Sequence, residues 1–474
     1  MKKLLKSYIE NKNVAILGFG REGKSTLAKI LQVGGYKKIY ILDLNDIKRA
    51  VDEVIEASKI KPEIEDIMVV CGEKYQDKLN DYDIVIKSPG IVLNSDISTY
   101  TTNITSQCEI FFERYKSQII GITGTKGKST TTTLIYHILE SAGYEAVLGG
   151  NIGIPAFDIE ETVTDKSIIV FEMSSHMLEY MKVSPHIGVL MNIHEEHLDH
   201  YGTMEKYIAA KKNIAANQSH EDICFINSHI EVKSNSEIIN IYSDDISCIE
   251  GQALGIHKEK IEFKYNGSHY CYKIPADEIK LVGEHNYFDI AIAYGILKLL
   301  EVSDSDFEEG LKSYEPLPHR LQPVGNIDGV KYYDDSISTI CDTTIKALES
   351  IKDVDTVLIG GMDRGIDYSE LIQFLSNNTV RNIILMYKTG ERILKEINNN
   401  YPEFKGKDRL HQVKDLKEAV KLAKKVTRVG KSCILSPAAA SYGYFKNFEE
   451  RGEEFSRLIR ENDAKENTKK NNEV

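Results

Sequence analysis

Several features that would assign this chain of 474 residues to a class of protein are missing from its sequence. It contains no uninterrupted run of about 18 apolar residues, so we expect no membrane-spanning helix. The basic start, Met1–Lys6, is not followed by an apolar segment with a small-residue cleavage site, which predicts a cytoplasmic protein. The seven cysteines are dispersed, with no Cys-x-x-Cys pair. This favours reduced thiols and argues against a disulfide framework or a structural zinc site.

Positive charge is also in deficit. The chain has 59 Lys and Arg against 72 Asp and Glu, a formal net charge of −13. Neither a basic domain nor a basic stripe is visible, so we expect no nucleic-acid partner. An acidic chain can still bind anionic small molecules when glycine loops, helix N-termini and metal ions supply local attraction.

What the chain does contain is a regular alternation of short β-branched runs with helical patterns. This alternation predicts an α/β fold with mainly parallel sheets, and the length suggests about three domains. We place the domains at residues 1–115, 116–316 and 317–474, with a polar and disordered tail from Asn462. The predicted strands are 14–17, 39–43, 83–86, 118–123, 168–172, 187–192, 330–335, 356–361, 383–386 and 432–435.

The strict phosphate-loop pattern G-x-x-x-x-G-K-[ST] occurs at Gly18–Ser25. The same residues satisfy G-x-G-x-x-G, and Asp43 follows at the end of the next predicted strand. That spacing is typical of a Rossmann-like fingerprint, in which the acid meets a ribose hydroxyl. A simple glycine turn is the alternative for the loop, and capping of the next helix is the alternative for Asp43.

A second loop, Gly124–Thr130, fails the strict pattern because Ile122 replaces its first glycine. Its context is nevertheless better, since it leaves an apolar strand and opens a predicted helix at 131–142 that stops at Gly143. Backbone N–H groups and the helix dipole would hold phosphates, Lys128 would neutralise them and the Ser129 hydroxyl would reach Mg²⁺. Glu172, at the end of a following strand, is a candidate metal ligand. We therefore assign ATP to the second loop.

Several longer motifs occur in a fixed order between Gly18 and about Ile459. They are Gly124–Ser129, Asn151–Gly153, Glu172–Ser175, Asn192–Asp199, Ala209–Lys211, Gly283–Asn286, His319–Leu321, Leu435–Ser441 and Phe445–Gly452. Together these motifs make the sequence resemble the Mur ligase family. The resemblance implies a Rossmann-like N-terminal domain for a UDP-linked substrate, a central P-loop ATPase domain and a Rossmann-like C-terminal domain for an amino acid.

The ending of the chain is most similar to the glutamate-adding members of that family. The resemblance implies an ATP-dependent ligase that adds D-glutamate to UDP-N-acetylmuramoyl-L-alanine through an acyl phosphate, in peptidoglycan precursor synthesis. It also implies ATP and Mg²⁺ as cofactors, carbamylation of Lys211 and a monomeric protein.

Site residues follow from the resemblance, position by position. The implied catalytic residues are Lys128, Glu172, His197 and Lys211, and the implied metal ligands are Ser129, Glu172, His197 and carbamylated Lys211. ATP would contact Gly124, Thr125, Lys126, Gly127, Lys128, Ser129, Thr130, Asn286, Arg320 and Asp335. The UDP substrate would contact Gly18, Gly20, Asp43, Ser88, Gly90 and Asn151. The amino acid would contact Thr339, Arg364, Ser441 and Phe448.

The sequence departs from the family pattern at several positions, which are Lys126 for Asn, His176-Met177 for Phe-Gln, Asp289 for Asn, Ile337 for Lys and Arg364 for Lys. Ile337 and Arg364 leave an L-glutamate-adding relative open. Three competing functions are a NAD-dependent oxidoreductase that uses Gly18–Gly23, a nucleotide-binding protein without catalysis, and a folate polyglutamate synthase. Considered alone, Glu172 is also typical of a surface acid. His197 and Lys211, considered alone, are also typical of solvated side chains.

Overall fold

The computed structural model describes residues 1–60, 66–281 and 283–461. The predicted polar tail at 462–474 lies outside these residues. The chain divides into two compact units. The first consists of Met1–Asp277 and Tyr287–Tyr314, and the second consists of Glu278–Asn286 and the chain from Glu315 onward.

The first compact unit begins with a five-stranded, wholly parallel sheet in the order β3-β2-β1-β4-β5. This is the strand order of a doubly wound Rossmann-like domain. Its strands are β1 Asn13–Leu17, β2 Lys38–Asp43, β3 Ile67–Cys71, β4 Ile84–Lys87 and β5 Asn103–Thr105. Its helices are α1 Lys2–Ile9, α2 Arg21–Val33, α3 Lys48–Ser58 and α4 Gln107–Tyr115.

The second sheet has nine strands in the order β14-β13-β12-β11-β10-β9-β6-β8-β7. It is parallel from β7 to β12, and β13 and β14 add an antiparallel edge. Its strands are β6 Ile119–Thr123, β7 Ala146–Gly150, β8 Ile168–Glu172, β9 Ile187–Leu190, β10 Ile223–Asn227, β11 Glu237–Tyr242, β12 Ala253–His257, β13 Lys260–Tyr265 and β14 Ser268–Lys273. The helices of this stretch are α5 Lys128–Ser141, α6 Ala156–Ile159, α7 Ser175–Leu178, α8 Leu198–Tyr201, α9 Met204–Ala216, α10 Glu284–Leu299 and α11 Asp304–Ser313.

The second compact unit contains a six-stranded sheet in the order β15-β16-β20-β17-β18-β19, parallel except for the β15–β16 pair. Its strands are β15 Gln322–Ile327, β16 Val330–Asp334, β17 Val354–Ile359, β18 Asn382–Met386, β19 Leu410–Val413 and β20 Ser432–Leu435. Its helices are α12 Cys341–Ser350, α13 Ser369–Asn377, α14 Tyr387–Asn400, α15 Leu416–Val426 and α16 Phe448–Arg460.

Helix α15 illustrates how the sequence produces these elements. Asp415 caps its start by accepting the N–H of Glu418 at 3.0 Å. The apolar residues recur at helical spacing and are buried, so one stripe of the helix packs on the sheet. They are Leu416, Ala419, Val420 and Ala423.

The predicted α/β class with three mainly parallel sheets is confirmed. One boundary prediction was wrong, because α5 begins at Lys128 rather than at Thr131. The loop glycine Gly127 already serves as its N-cap, so the phosphate-loop lysine and serine are its first two residues. Within the part of the chain that the structure describes, none of the helices has the length and apolar character needed to span a membrane.

Candidate active site

The loop predicted to bind ATP connects β6 to α5 at the carboxyl end of a parallel strand. Gly127 has φ +83°, a left-handed conformation that favours glycine. A Cβ at Gly127 would lie 2.6 Å from Oδ1 of Asp289, so the close approach also requires glycine. The loop therefore delivers the start of α5, with its partial positive charge, to the edge where nucleotides bind in such sheets.

Asn192 holds this loop in place, although the sequence analysis gave it no role. Its Oδ1 accepts the N–H groups of Thr125 at 3.0 Å and Lys126 at 2.8 Å. Its Nδ2 donates to the carbonyl of Lys126 at 3.1 Å. The sequence contained a signal for this role, because Asn192 closely follows strand β9. That strand pairs with β6, so its end lies beside the loop.

Two lysine ammonium groups converge on one carbonyl oxygen of the loop. Lys128 Nζ and Lys211 Nζ each donate to Gly124 O at 2.8 Å. Lys211 is 1% exposed, so the interpretation of this residue as a solvated charge was wrong. Burial, followed by repulsion from Lys128, lowers the pKa of Lys211 to about 7. The structure thus places two lysine side chains on one loop carbonyl and disfavours the charged form of the buried one.

Glu172 ends β8, the strand next to β6, and is 1% exposed. The surface-acid interpretation is therefore wrong. Its Oε1 accepts the side-chain amide of Asn151 at 2.6 Å. Its Oε2 is buried and accepts no hydrogen bond from any described residue. A buried carboxylate oxygen without a partner is costly, and a bound cation would compensate it.

His197 is linked to Lys211 through an aromatic ring. The Lys211 ammonium lies 4.9 Å from the ring centroid of Tyr207, and the ring of His197 lies 6.1 Å from the same ring. The side chain of His197 is 42% exposed, and its backbone has φ +58° immediately before α8. His176, which stands where the family has phenylalanine, packs edge-on against His197 with ring centroids 4.7 Å apart. Burial is the main reason why the pKa of His176 is lowered to about 4, so its imidazole is neutral near pH 7.

The first glycine loop has different contacts. Ser25, which occupies the metal-binding position of the strict phosphate-loop pattern, donates its hydroxyl to Asp158 Oδ1 at 2.6 Å. Asp43 Oδ2 accepts the N–H of Phe19 at 2.8 Å, so this acid fixes the loop and does not cap α3. Ser88 Oγ donates to Gly18 O at 2.8 Å. These contacts bring Gly18, Asp43 and Ser88 together, with Gly20 as the N-cap of α2 and Gly90 in the turn after β4.

Other predicted ATP contacts belong to the second compact unit, where Asp335 and Asn286 are buried. Asp335 accepts the N–H of Leu321 at 3.2 Å and the hydroxyl of Ser436 at 2.7 Å. Burial nevertheless raises the pKa of Asp335 to about 7. The Nε of Arg320 is buried and has no hydrogen-bond partner among the described residues.

The predicted amino-acid contacts also lie in the second unit. Arg364 Nη2 donates to the carbonyl of Thr339 at 3.2 Å. An isolated bridge between Met362 and Ala440 brings the Arg364 segment beside buried Ser441. Phe448 is the first residue of α16, and its carbonyl accepts the hydroxyl of Ser336 at 2.8 Å.

Arg451 organises this region and was missed as a functional residue by sequence reasoning, which quoted it only within a motif. It is fully buried, and it donates to the hydroxyl of Ser336 at 2.9 Å and to the carbonyls of Ala439 at 2.9 Å and Ser336 at 2.7 Å. These bonds tie the start of α16 to the loops after β16 and β20. Arg451 is therefore a positioning residue for Ser441 and Phe448.

Comparison with known proteins agrees with this arrangement. Residues 122–297 match the model of the Mur ligase middle domain. The UDP-N-acetylmuramoylalanine–D-glutamate ligase of Acetivibrio thermocellus is 33% identical, over 96% of this chain and 97% of that protein. The enzyme of the same name from Clostridioides difficile is 32% identical, over 94% and 98%.

The MurF ligase of Thermotoga maritima, solved in complex with ADP, shares the fold at a TM-score of 0.57 and 17% identity, with 97% of this chain and 99% of that chain covered. Its sequence similarity is too low to carry more than the fold. Identity to the two D-glutamate ligases extends over nearly their whole length, and this chain belongs to the Mur ligase family, within the group of UDP-N-acetylmuramoylalanine–D-glutamate ligases.

Proposed function

We propose that this protein is an ATP-dependent ligase that adds D-glutamate to UDP-N-acetylmuramoyl-L-alanine, in peptidoglycan precursor synthesis. The full-length similarity to ligases of that name supports the reaction. The observation that carries its assignment to this site is the Lys128 ammonium at the start of α5, 2.8 Å from the carbonyl of Gly124, together with the buried Oε2 of Glu172, which accepts no hydrogen bond from any described residue. A helix N-terminus with a lysine suits the anionic triphosphate, and the unsatisfied carboxylate oxygen suits a Mg²⁺ ion.

The chemistry requires activation of a carboxylate, because a carboxylate and an amine do not condense in water at neutral pH. ATP would transfer its γ-phosphoryl group to the substrate carboxylate, and the amine of glutamate would displace phosphate from the acyl phosphate. Phosphoryl transfer between anions depends mainly on alignment and charge neutralisation. Lys128 and the first N–H groups of α5, at Lys128, Ser129 and Thr130, would bind the phosphate oxygens. The N–H groups of Thr125 and Lys126 bind Asn192 instead, so these residues would shape the loop.

The residues at the loop suit Mg²⁺. The unsatisfied Oε2 of Glu172 and the hydroxyl of Ser129 are hard oxygen ligands, and they would hold one ion between them. His197 and a carbamylated Lys211 would hold a second. Bound Mg²⁺ supplies neutralisation of the phosphoryl and carboxylate oxygens. Asn151, bonded to Glu172, would keep that carboxylate oriented.

Carbamylation of Lys211 is supported by its environment. The residue is 1% exposed and lies near Lys128, where a cation is unfavourable. Its neutral amine would attack CO₂, with loss of one proton, to form an anionic carbamate. Lys211→Arg should abolish a ¹³C carbamate signal in protein equilibrated with ¹³C-bicarbonate, whereas Lys212→Arg on the same helix should retain it. A signal that survives Lys211→Arg would refute the carbamate.

The remaining contacts divide among three proposed domains, with boundaries at residues 1–115, 116–316 and 317–474. The UDP end of the substrate would lie on the first sheet, against Gly18, Gly20, Asp43, Ser88 and Gly90, and its acyl end would approach Asn151 and His197. Adenosine would contact Asn286, Arg320 and Asp335. The two carboxylates of glutamate would bind Arg364, Thr339, Ser441 and the backbone N–H of Phe448, where the N-terminus of α16 favours an anion.

We further propose that the enzyme is a cytoplasmic monomer that contacts neither nucleic acid nor membrane. Phosphate release tests the function directly, with UDP-N-acetylmuramoyl-L-alanine and ATP as fixed substrates. Release that depends on D-glutamate is the expected result. Release with L-glutamate alone would assign the chain to an epimer-specific relative, for which Ile337 and Arg364 leave room. Release with neither would refute the glutamate-ligase proposal.

A further inference from the structure

The hairpin of β13 and β14, at the far edge of the nine-stranded sheet, groups a carboxylate, an imidazole and a thiol. Glu262 and Cys271 are direct cross-strand partners. His269 is two residues before Cys271, so it lies on the same face of β14. One ligand atom from each of these three residues lies within 4.8 Å of the others. None of them belongs to the nucleotide site.

The distance between the two softer ligands matches coordination of a single ion. Cys271 Sγ and His269 Nε2 are 3.6 Å apart. Zinc bonds of about 2.3 Å to sulfur and about 2.0–2.1 Å to nitrogen, at a tetrahedral angle, separate the two ligand atoms by roughly 3.6 Å. The same tetrahedral geometry requires a carboxylate oxygen of Glu262 at a similar distance from Cys271 Sγ and His269 Nε2. A side-chain movement of about 1 Å would bring it there.

Glu262 provides an independent observation. The residue is only 7% exposed, and its Oε2 is buried without a hydrogen-bond partner among the described residues. Its other oxygen, Oε1, pairs with the ammonium of Lys260. Leaving one oxygen of a buried carboxylate unsatisfied costs free energy, and a metal ion beside Cys271 and His269 would satisfy it. On the other side of Glu262, the β12 partner Gly255 adds no side chain that could serve instead.

From this arrangement we propose that Glu262, His269 and Cys271 form a binding site for a divalent transition metal of the zinc type. A mixed sulfur, nitrogen and oxygen set favours Zn²⁺ over Mg²⁺ or Ca²⁺, and three protein ligands leave a fourth position for water. As the metal–sulfur bond forms, the thiol proton of Cys271 passes to solvent. The dispersed cysteines argued against such a site from sequence, but strand pairing assembles it around a single cysteine.

One neighbouring lysine, Lys260, opposes binding of the ion. Lys260 competes for Glu262, although its side chain is 57% exposed and can turn into solvent. The site also lies five to six strand positions from β6, roughly 24–29 Å at about 4.8 Å per strand. We therefore expect the bound metal to stabilise the pairing of edge strand β14 with β13. We do not expect it to take part in the amide-forming reaction.

Titration of the full-length protein with Co²⁺, followed by the thiolate-to-cobalt charge-transfer absorption, tests the site. The nucleotide site contributes no thiol, so this band reports only cysteine ligation. We expect one thiolate-bound Co²⁺ per chain, displaced by Zn²⁺. Cys271→Ser should abolish the band, and His269→Gln and Glu262→Gln should each weaken binding by about a hundredfold. Lys260→Gln should tighten binding, because it removes the competing cation.

Cys248→Ser and Cys71→Ser are matched controls, since both thiols are free and exposed but lie outside the cluster. Both variants should leave the band and the affinity unchanged. A band that survives Cys271→Ser, or a wild-type protein that shows no cysteine-ligated cobalt, would overturn the proposal. Ligase activity need not change in any of these variants.

Discussion

Replacement of Asn192 by alanine is the most informative perturbation of the phosphate loop. The change removes three side-chain hydrogen bonds, two accepted from the N–H groups of Thr125 and Lys126 and one donated to the carbonyl of Lys126. Each contributes roughly 0.5–1.5 kcal/mol net, so together they contribute about 1.5–4.5 kcal/mol to loop order. The backbone bond from Thr125 N–H to Asn192 O, at 3.0 Å, survives in the variant. The loop should therefore remain folded but become less ordered.

Part of that order must then be restored when ATP binds. If ordering the loop consumes about 1.4 kcal/mol of the free energy of ATP binding, the KM for ATP rises roughly tenfold. The assay is phosphate release at varied ATP concentration with the other substrates saturating. Asn227→Ala is the matched control, because Asn227 donates to the carbonyl of neighbouring Met191 at 3.0 Å and not to the loop. Equal KM values for ATP in the two variants would refute the argument that Asn192 orders the ATP loop.

Three further predictions concern other parts of the protein. Ser25→Ala removes a 2.6 Å bond to Asp158 and should lower the thermal midpoint without changing the KM for ATP; a large rise in that KM would assign ATP to the first loop. Burial raises the pKa of Asp335 from 3.8 to about 7, so the folded state retains a proton that the unfolded state loses. The free energy of unfolding should therefore decrease as the pH rises from about 4 to about 7, and this decrease should be smaller in Asp335→Asn. Urea titrations at several pH values measure it, and the same pH dependence in both proteins would contradict the prediction. Gly452→Ala would place a Cβ against His319 and Asp334 and should cost about 1–3 kcal/mol, measured by denaturant midpoint, whereas exposed Glu453→Ala should change little.

Much of the fold could be predicted because buried parallel strands are continuous apolar runs. The runs at 168–172 and 432–435 coincide with β8 and β20 to the residue. The hairpin of β13 and β14 was missed, although Lys260, Glu262 and Lys264 alternate with apolar residues and Asn266-Gly267 is a typical hairpin turn. The predicted strands were continuous apolar runs, and this edge pair contains none. Strand register decides which polar residues meet, and no local pattern reveals that Glu262 faces Cys271.

The candidate site was predictable where motif and strand position agreed, as at Gly127 and Glu172. The strict phosphate-loop pattern alone points to the first loop, but it ignores that the Ser25 hydroxyl of α2 is bonded to Asp158 of α6. Burial of Lys211 could not be predicted from its own helix, where Lys212 follows it. Besides Tyr207, one turn earlier on the same helix, its environment is created by Lys128 and by a loop 87 positions away in the chain.

The central claim is that ATP activates the carboxylate of the UDP-linked substrate as an acyl phosphate. The direct measurement is the fate of ¹⁸O placed in the carboxylate of UDP-N-acetylmuramoyl-L-alanine, with D-glutamate and ATP. In the proposed reaction one carboxylate oxygen becomes the bridge to phosphorus and leaves with it when the amine attacks. The account predicts one ¹⁸O in each phosphate released. Amide product accompanied by unlabelled phosphate would contradict it.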